Sequence, residues 1–157
     1  GINHQTAKLY LSLWRADGSV VDYGLVSTKY VTTAFVNLMV DTLQGSGSGW
    51  ANFKYHDSGT GTIGESSSDT GLQTPCTVQS GGERATGSQT EGTSANIYKS
   101  VGTISYTGSA AITEHGLFNN TRAGGGTLMD RSVFSAVNVA NGDSIQFTYE
   151  LTCTAGG

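Results

Sequence analysis

A few places in this chain carry residue types and spacings that could do chemistry. His56-Asp57-Ser58 brings together an imidazole, a carboxylate and a hydroxyl, the three groups of a nucleophilic relay. Adjacent residues on an extended segment point to opposite sides, so three neighbours cannot line up as that relay. The Gly-x-Ser-x-Gly elbow of a hydrolase does not accompany them. Gly59-Thr60-Gly61-Thr62-Ile63-Gly64 has the glycine density of a phosphate cradle. However, Glu65-Ser66-Ser67 follows where a Walker loop needs Gly-Lys-Ser/Thr, so the run reads as a connection between strands. Glu114 and His115 place a carboxylate beside an imidazole within an expected strand, where their side chains diverge; structural hydrogen bonding is expected of them. His4, His56 and His115 lack metal-ligand spacing, and no acidic run copies a calcium loop.

The remaining candidates are weaker. Cys76 and Cys153 are expected as two unpaired, partly apolar thiols, because a two-cysteine pattern carries no disulfide framework. Asn119-Asn120-Thr121 matches a glycosylation sequon, a pattern common by chance. Arg131, next to Asp130, is expected to pair either across the sheet or across a subunit boundary. Trp14, Tyr23, Trp50 and Tyr55 are candidate interface anchors together with Arg131, since large rigid aromatics and arginines dominate contact energies. The expectation is a protein that is not an enzyme, with no catalytic residue, no cofactor and no metal.

The elements that position these residues are mostly strands. From Ser144 to Thr154 the chain alternates strictly, with Ile145, Phe147, Tyr149, Leu151 and Cys153 on one face. That is the period of a strand with one buried and one wet side. Asn141-Gly142-Asp143 precedes it as a turn. Lys8–Trp14 alternates likewise with Leu9, Leu11 and Leu13 inward, Ala16-Asp17-Gly18-Ser19 carries a hairpin signal, and Val20–Val26 returns as partner.

Phe35, Leu38, Met39 and Leu43 repeat at helical spacing, with Ser27, Thr28, Thr32 or Thr33 as cap and Gly45 as stop. Strands are further expected over Trp50–Tyr55, Ala95–Tyr106, Ala111–Phe118 and Thr127–Phe134, with Ile97, Val101 and Ile104 in the core and a bulge near Gly102. Asn119–Gly126 and Ser135–Asp143 read as turn-rich. Ser68 or Asp69 is expected to cap one helical turn through Leu72. Seven or eight strands and one amphipathic helix make this a mainly β protein, an antiparallel β-sandwich of jelly-roll-like type.

Bulk properties agree. A chain of 157 residues reads as a single domain (1–157), with an N-terminal hairpin (1–27) and an extended polar loop or arm (64–92) that orders against a neighbour. Charged residues are only 13%, well below the roughly 25% of an ordinary domain, while glycine is abundant and proline appears once. The few lysines and arginines form no basic stripe, which argues against nucleic acid, and no apolar run approaches membrane-spanning length. Gly1-Ile2-Asn3-His4 lacks the charged and apolar regions of a signal peptide and suits an intracellular product without its initiator methionine.

Five segments carry a family resemblance. They are Tyr55–Thr62, Ser68–Pro75, Ala111–Phe118, Leu128–Phe134 and Gly142–Tyr149. Together they resemble small structural proteins encoded by tailed bacteriophages, over roughly Phe35 to Thr154. The resemblance implies a β-sandwich virion component without enzymatic activity. Within that class it implies a capsid cement (decoration) protein on the head surface, assembled in the host cytoplasm. Such a protein would contact the major capsid protein and form a homo-oligomer, a trimer by preference. A tail, baseplate or fibre component that binds a host receptor or carbohydrate is the alternative. The hairpin before Phe35 lies outside the resemblance.

Overall fold

The computed structural model describes residues 4–155. Residues 1–3, on which part of the N-terminal expectation falls, lie outside them, as do 156 and 157. In chain order the elements are β1 (His4–Trp14), β2 (Val20–Lys29), α1 (Thr33–Leu43), a 3-10 turn (Trp50–Asn52) and β3 (Tyr55–Gly59). They continue with β4 (Ala85–Thr86), β5 (Thr90–Glu91), β6 (Ile97–Ser105), β7 (Ala110–Phe118), β8 (Leu128–Val139) and β9 (Ser144–Thr154). Two antiparallel sheets result, one of order β2-β1-β9-β6-β5 and one of order β4-β3-β7-β8. The hairpin β7–β8 sits in the second sheet while its flanking strands β6 and β9 pair in the first. This is the nested winding of a jelly-roll-like sandwich.

The alternating segments form the wall between the layers. Leu9, Leu11 and Leu13 of β1 face in beside Ile145, Phe147, Tyr149 and Leu151 of β9, all at 4% exposure or less. Burying each such side chain stabilises the fold by roughly 1.5–3 kcal/mol, which is why β9, although polar at every second position, occupies the sheet centre. In α1, Thr32 caps the helix by accepting from the Phe35 amide (3.2 Å) and donates to the Leu128 carbonyl (2.5 Å). The cap therefore also fastens the helix to β8. Phe35 is the buried residue of the helical stripe, with Leu38 and Met39 half-buried; Leu43, expected beside it, is 83% exposed at the last residue of the helix.

Several local expectations are corrected. Trp50–Asn52 is a 3-10 turn, and the strand begins at Tyr55 and runs through the polar residues His56-Asp57-Ser58-Gly59. Ser68 and Asp69 start no helix; the Asp69 carboxylate accepts from the Ser66 amide (2.9 Å), which closes a turn instead. β8 continues past Phe134 to Val139: beyond a register shift against β7, Val137 and Val139 resume the inward row. Nine strands are present among the described residues, two of them only two residues long.

The bulge expected near Gly102 is absent. β6 and β9 pair in unbroken register, and the inward row of β6 is Tyr98, Ser100, Gly102 and Ile104, with Ile97 and Val101 half-buried on the opposite face. Gly102 serves a different purpose. A Cβ there would lie 2.4 Å from His56 Cδ2, so the residue is glycine to admit an imidazole between the sheets. Gly102→Ala is expected to destabilise the protein by roughly 2–3 kcal/mol through overpacking. The loss should shrink markedly in a His56→Ser background, and additive losses in a urea double-mutant cycle would refute the contact.

The long polar segment is no free arm. Thr60 and Cys76 amides donate to the Thr74 and Ser58 carbonyls (2.9 Å each), and Ser80 and Thr107 amides bond the Ser105 and Val78 carbonyls (2.8 Å each). Residues 60–84 thus lie along β3 and the end of β6, covering the outer face of the second sheet. That cover buries β7 on both faces.

Candidate functional site

The two histidines of β3 and β7 meet between the sheets. Ser58 and His115 are direct cross-strand partners, so His56, two residues before Ser58, shares their inward face. His56 Nδ1 lies 2.9 Å from His115 Nε2, and His56 Nε2 lies 2.9 Å from Ser100 Oγ on the opposite sheet. Beneath them the Phe147 ring is 4.5 Å from the His115 ring. Hydroxyl, imidazole and imidazole therefore form a line with the spacing of a nucleophile, its base and an orienting group. Either tautomer satisfies both contacts with neutral rings.

Burial is what decides the chemistry of this line. Ser100 and His56 are 0% exposed and His115 1%, so no substrate reaches the hydroxyl unless the sheets part. Desolvation pushes the His56 pKa down to about 3. Desolvation, and secondarily the neighbouring His56, holds His115 well below the ordinary histidine value. The expected divergence of Glu114 from His115, and of Asp57 from its neighbours, is what the strands show. The pairing of His56 with His115 is not visible in local sequence, because it joins positions 59 apart. As a metal site the pair is incomplete: among the described residues no third His, Cys, Asp or Glu side chain joins it.

On the outer face of the same sheet, Glu114 and Arg131 clamp the 60–84 segment. Glu114 Oε1 accepts from the Gly61 and Thr74 amides (3.0 and 2.7 Å), and Oε2 accepts from the Gln73 amide and Arg131 Nε (3.0 and 2.6 Å). All four acceptor directions of the carboxylate are filled. Arg131 also donates to Asp69 Oδ2 (3.1 Å) and the Ile63 carbonyl (2.9 Å). Although burial opposes ionisation of Glu114, the backbone donors and the guanidinium hold its pKa below the usual carboxylate value. A Cβ at Gly61 would come within 2.5 Å of Glu114 Oε1, so glycine lets the backbone approach this closely.

A second clamp works alongside. Arg84 Nε donates to Asp57 Oδ2 (3.2 Å), its Nη1 donates to the Asn120 and Gly125 carbonyls (2.8 and 2.7 Å), and its guanidinium lies over the Phe118 ring. Asp130, by contrast, faces inward opposite Leu117, and its side-chain partner is Ser132 Oγ at a long 3.5 Å. Desolvation, aided by the charge of Glu65, pushes its pKa up to about 7.

The expected interface residues divide. Arg131, at 4% exposure, directs its guanidinium to Glu114, Asp69 and the Ile63 carbonyl of its own chain, so of the two expected pairings the one across the sheet is present. Tyr55 is half-buried beside Phe118 and Thr86. Trp14 and Tyr23 are exposed at 46% and 42% on the β1–β2 hairpin. Trp50 is 39% exposed and stacks on Phe35 (5.2 Å between centroids). Both cysteines are free thiols, half-buried.

Sequence reasoning missed the apolar surface of β2. Val20, Val21 and Leu25 are exposed between 43% and 48% on a strand at the open edge of its sheet. Tyr23 and Val26 fall at register shifts against β1, two irregularities that interrupt the edge ladder. Beside them a shallow groove of about 490 Å³ crosses the outer sheet face between Tyr10 and Trp14, with Gln146, Thr148 and Glu150 along it. No helix among the described residues is long and apolar enough to cross a membrane. No family model matches this chain, and no curated protein and no solved structure matches it either.

Proposed function

We propose that this chain is a non-enzymatic structural component of a tailed-phage particle, a cement protein that bridges subunits of the head shell. The observation that carries this reading is the exposed apolar hairpin. Trp14, Val20, Val21, Tyr23 and Leu25 crowd one open sheet edge, and apolar groups so placed are ordinarily covered in an assembly. Four of the five phage-like segments form β3, β7, β8 and the clamped segment, on the second sheet and its cover. The hairpin lies outside the resemblance, as a contact element suited to one particular shell would. The partners in this reading are the major capsid protein and further copies of the chain, as a trimer.

Heating particles with and without the protein is the direct test, since cement raises the temperature at which the shell bursts. Equal burst temperatures would sink the proposal. Val20→Asp with Leu25→Asp is expected to weaken particle binding at least about tenfold, because desolvating either carboxylate at the contact is costly. The melting temperature of the isolated chain should move by under about 5 °C, since both positions are exposed. One observation favours a second reading, a tail or fibre component that binds carbohydrate. Trp14 and Tyr10 flank a groove with amide, hydroxyl and carboxylate groups along it, a surface on which a sugar ring can stack. Immunogold labelling separates head decoration from tail-tip decoration.

A further inference from the structure

A cavity of about 480 Å³ opens between α1, the Trp50–Asn52 turn and the ends of β1, β6 and β9. Its walls are aromatic and thioether: Phe35, Trp50 and Phe53 on one side, Met39, Met129 and Tyr98 around them. Phe53 stands edge-on to Phe35 and to Trp50 (80° and 81°), so the three rings form one continuous aromatic wall. Its floor reaches the core at Leu151 and Met129, 4% and 3% exposed. No charged side chain lines it. Size, apolar walls and a few polar groups at the edge are the attributes of a small-molecule site.

The cavity is held open rather than left open. Tyr98 Oη donates to the Phe53 carbonyl, and Gln89 Nε2 donates to the Ala51 carbonyl (2.7 Å). These bonds pin the turn to the sheet. On the other side the Thr32 and Thr33 amides bond the Met129 and Ser67 carbonyls (2.9 and 2.8 Å), which fixes the start of the helix. With both walls anchored by hydrogen bonds, collapse onto the gap would break them, while an empty gap forfeits dispersion contacts along every wall. Gln5 Nε2, at the edge, meets only the Met39 sulfur at 3.6 Å, a weak acceptor that an oxygen would displace.

We infer that this cavity binds an uncharged, flat aromatic molecule of about two fused rings, packed against the aromatic wall and the two methionines, with an oxygen accepting from Gln5. The test follows from the composition. The chain has two methionines, Met39 and Met129, and both line the cavity. Methyl-13C-methionine spectra of the full chain titrated with 1-naphthol should show both signals shifting by ring current and saturating below about 1 mM.

Ala51→Trp fills the mouth from an exposed position on the turn and should abolish both shifts, with the amide spectrum elsewhere unchanged. Naphthalene-1-sulfonate, of similar shape but charged, should bind at least about tenfold more weakly. Methyl signals that do not move, shifts that rise linearly without saturation, or shifts that persist in the folded Ala51→Trp chain would each overturn the proposal. Equal binding of the sulfonate would overturn the uncharged class.

Discussion

Glu114→Ala is expected to lose about 3–5 kcal/mol of stability, the usual loss when one partner of a buried ion pair is removed. The magnitude rests on what the carboxylate leaves behind. Arg131 stays buried with its Nε unpaired, and the Gly61, Gln73 and Thr74 amides lose their shared acceptor. Since a domain of this kind is stable by only about 5–15 kcal/mol, the loss takes much of the reserve. Urea unfolding measures it, and hydrogen exchange should show residues 60–75 opening first. Adding Arg131→Leu to Glu114→Ala should recover part of the loss, because the orphaned charge goes with it. A single variant within about 1 kcal/mol of the parent would mean that the segment is held by other contacts.

Acid should destabilise the protein over a window set by the histidine pair. His56, with a folded pKa of about 3, and His115, well below its ordinary value, exclude a proton that the unfolded chain takes up below about 6.5. Their stabilisation is complete above pH 6.5 and is lost as pH falls, each at about 1.4 kcal/mol per pH unit. Asp130 opposes them. Its folded pKa of about 7 means that the fold keeps a proton that the unfolded chain releases above about 3.8, so its contribution rises as pH falls from 7 to 3.8.

With two groups against one, stability falls as pH drops from 6.5 toward 4.5, by at most about 1.4 kcal/mol per unit. Urea midpoints across that range measure it. His56→Gln with His115→Gln should flatten or reverse the slope, because Asp130 then acts without them. An unchanged slope in the double variant would show that other groups govern acid stability.

The histidines and Glu114 mark where reading the sequence reaches its limit. β9 was legible from end to end, since its period-two pattern spans a strand with one wet face. The hairpin β1–β2 was legible for the same reason. The helix was legible in its stripe, in Thr32 among its four candidate caps and in Gly45 at its end, where the amide bonds the Thr42 carbonyl (3.0 Å). β3 was not. The expected strand stops at Tyr55 because polar residues signal solvent, whereas here His56-Asp57-Ser58-Gly59 carry the strand, both of its faces are covered and the side chains of His56, Asp57 and Ser58 have partners elsewhere in the fold. For the same reason the end of β8 reads as turns and the cover segment as an arm.

What the sequence determined on its own, then, was the mainly β class, the inward rows of β1 and β9 and the docked helix. Each follows from local periodicity, which needs no knowledge of neighbours. The tertiary structure alone decided that His56 would meet His115 and Ser100, that Glu114 and Arg131 would hold residues 60–75, and that Arg131 would be buried while Val20 and Leu25 stay in solvent. Such contacts join residues tens of positions apart. Their energy depends on which strands become neighbours and which faces are covered, and no pattern within a single strand encodes that.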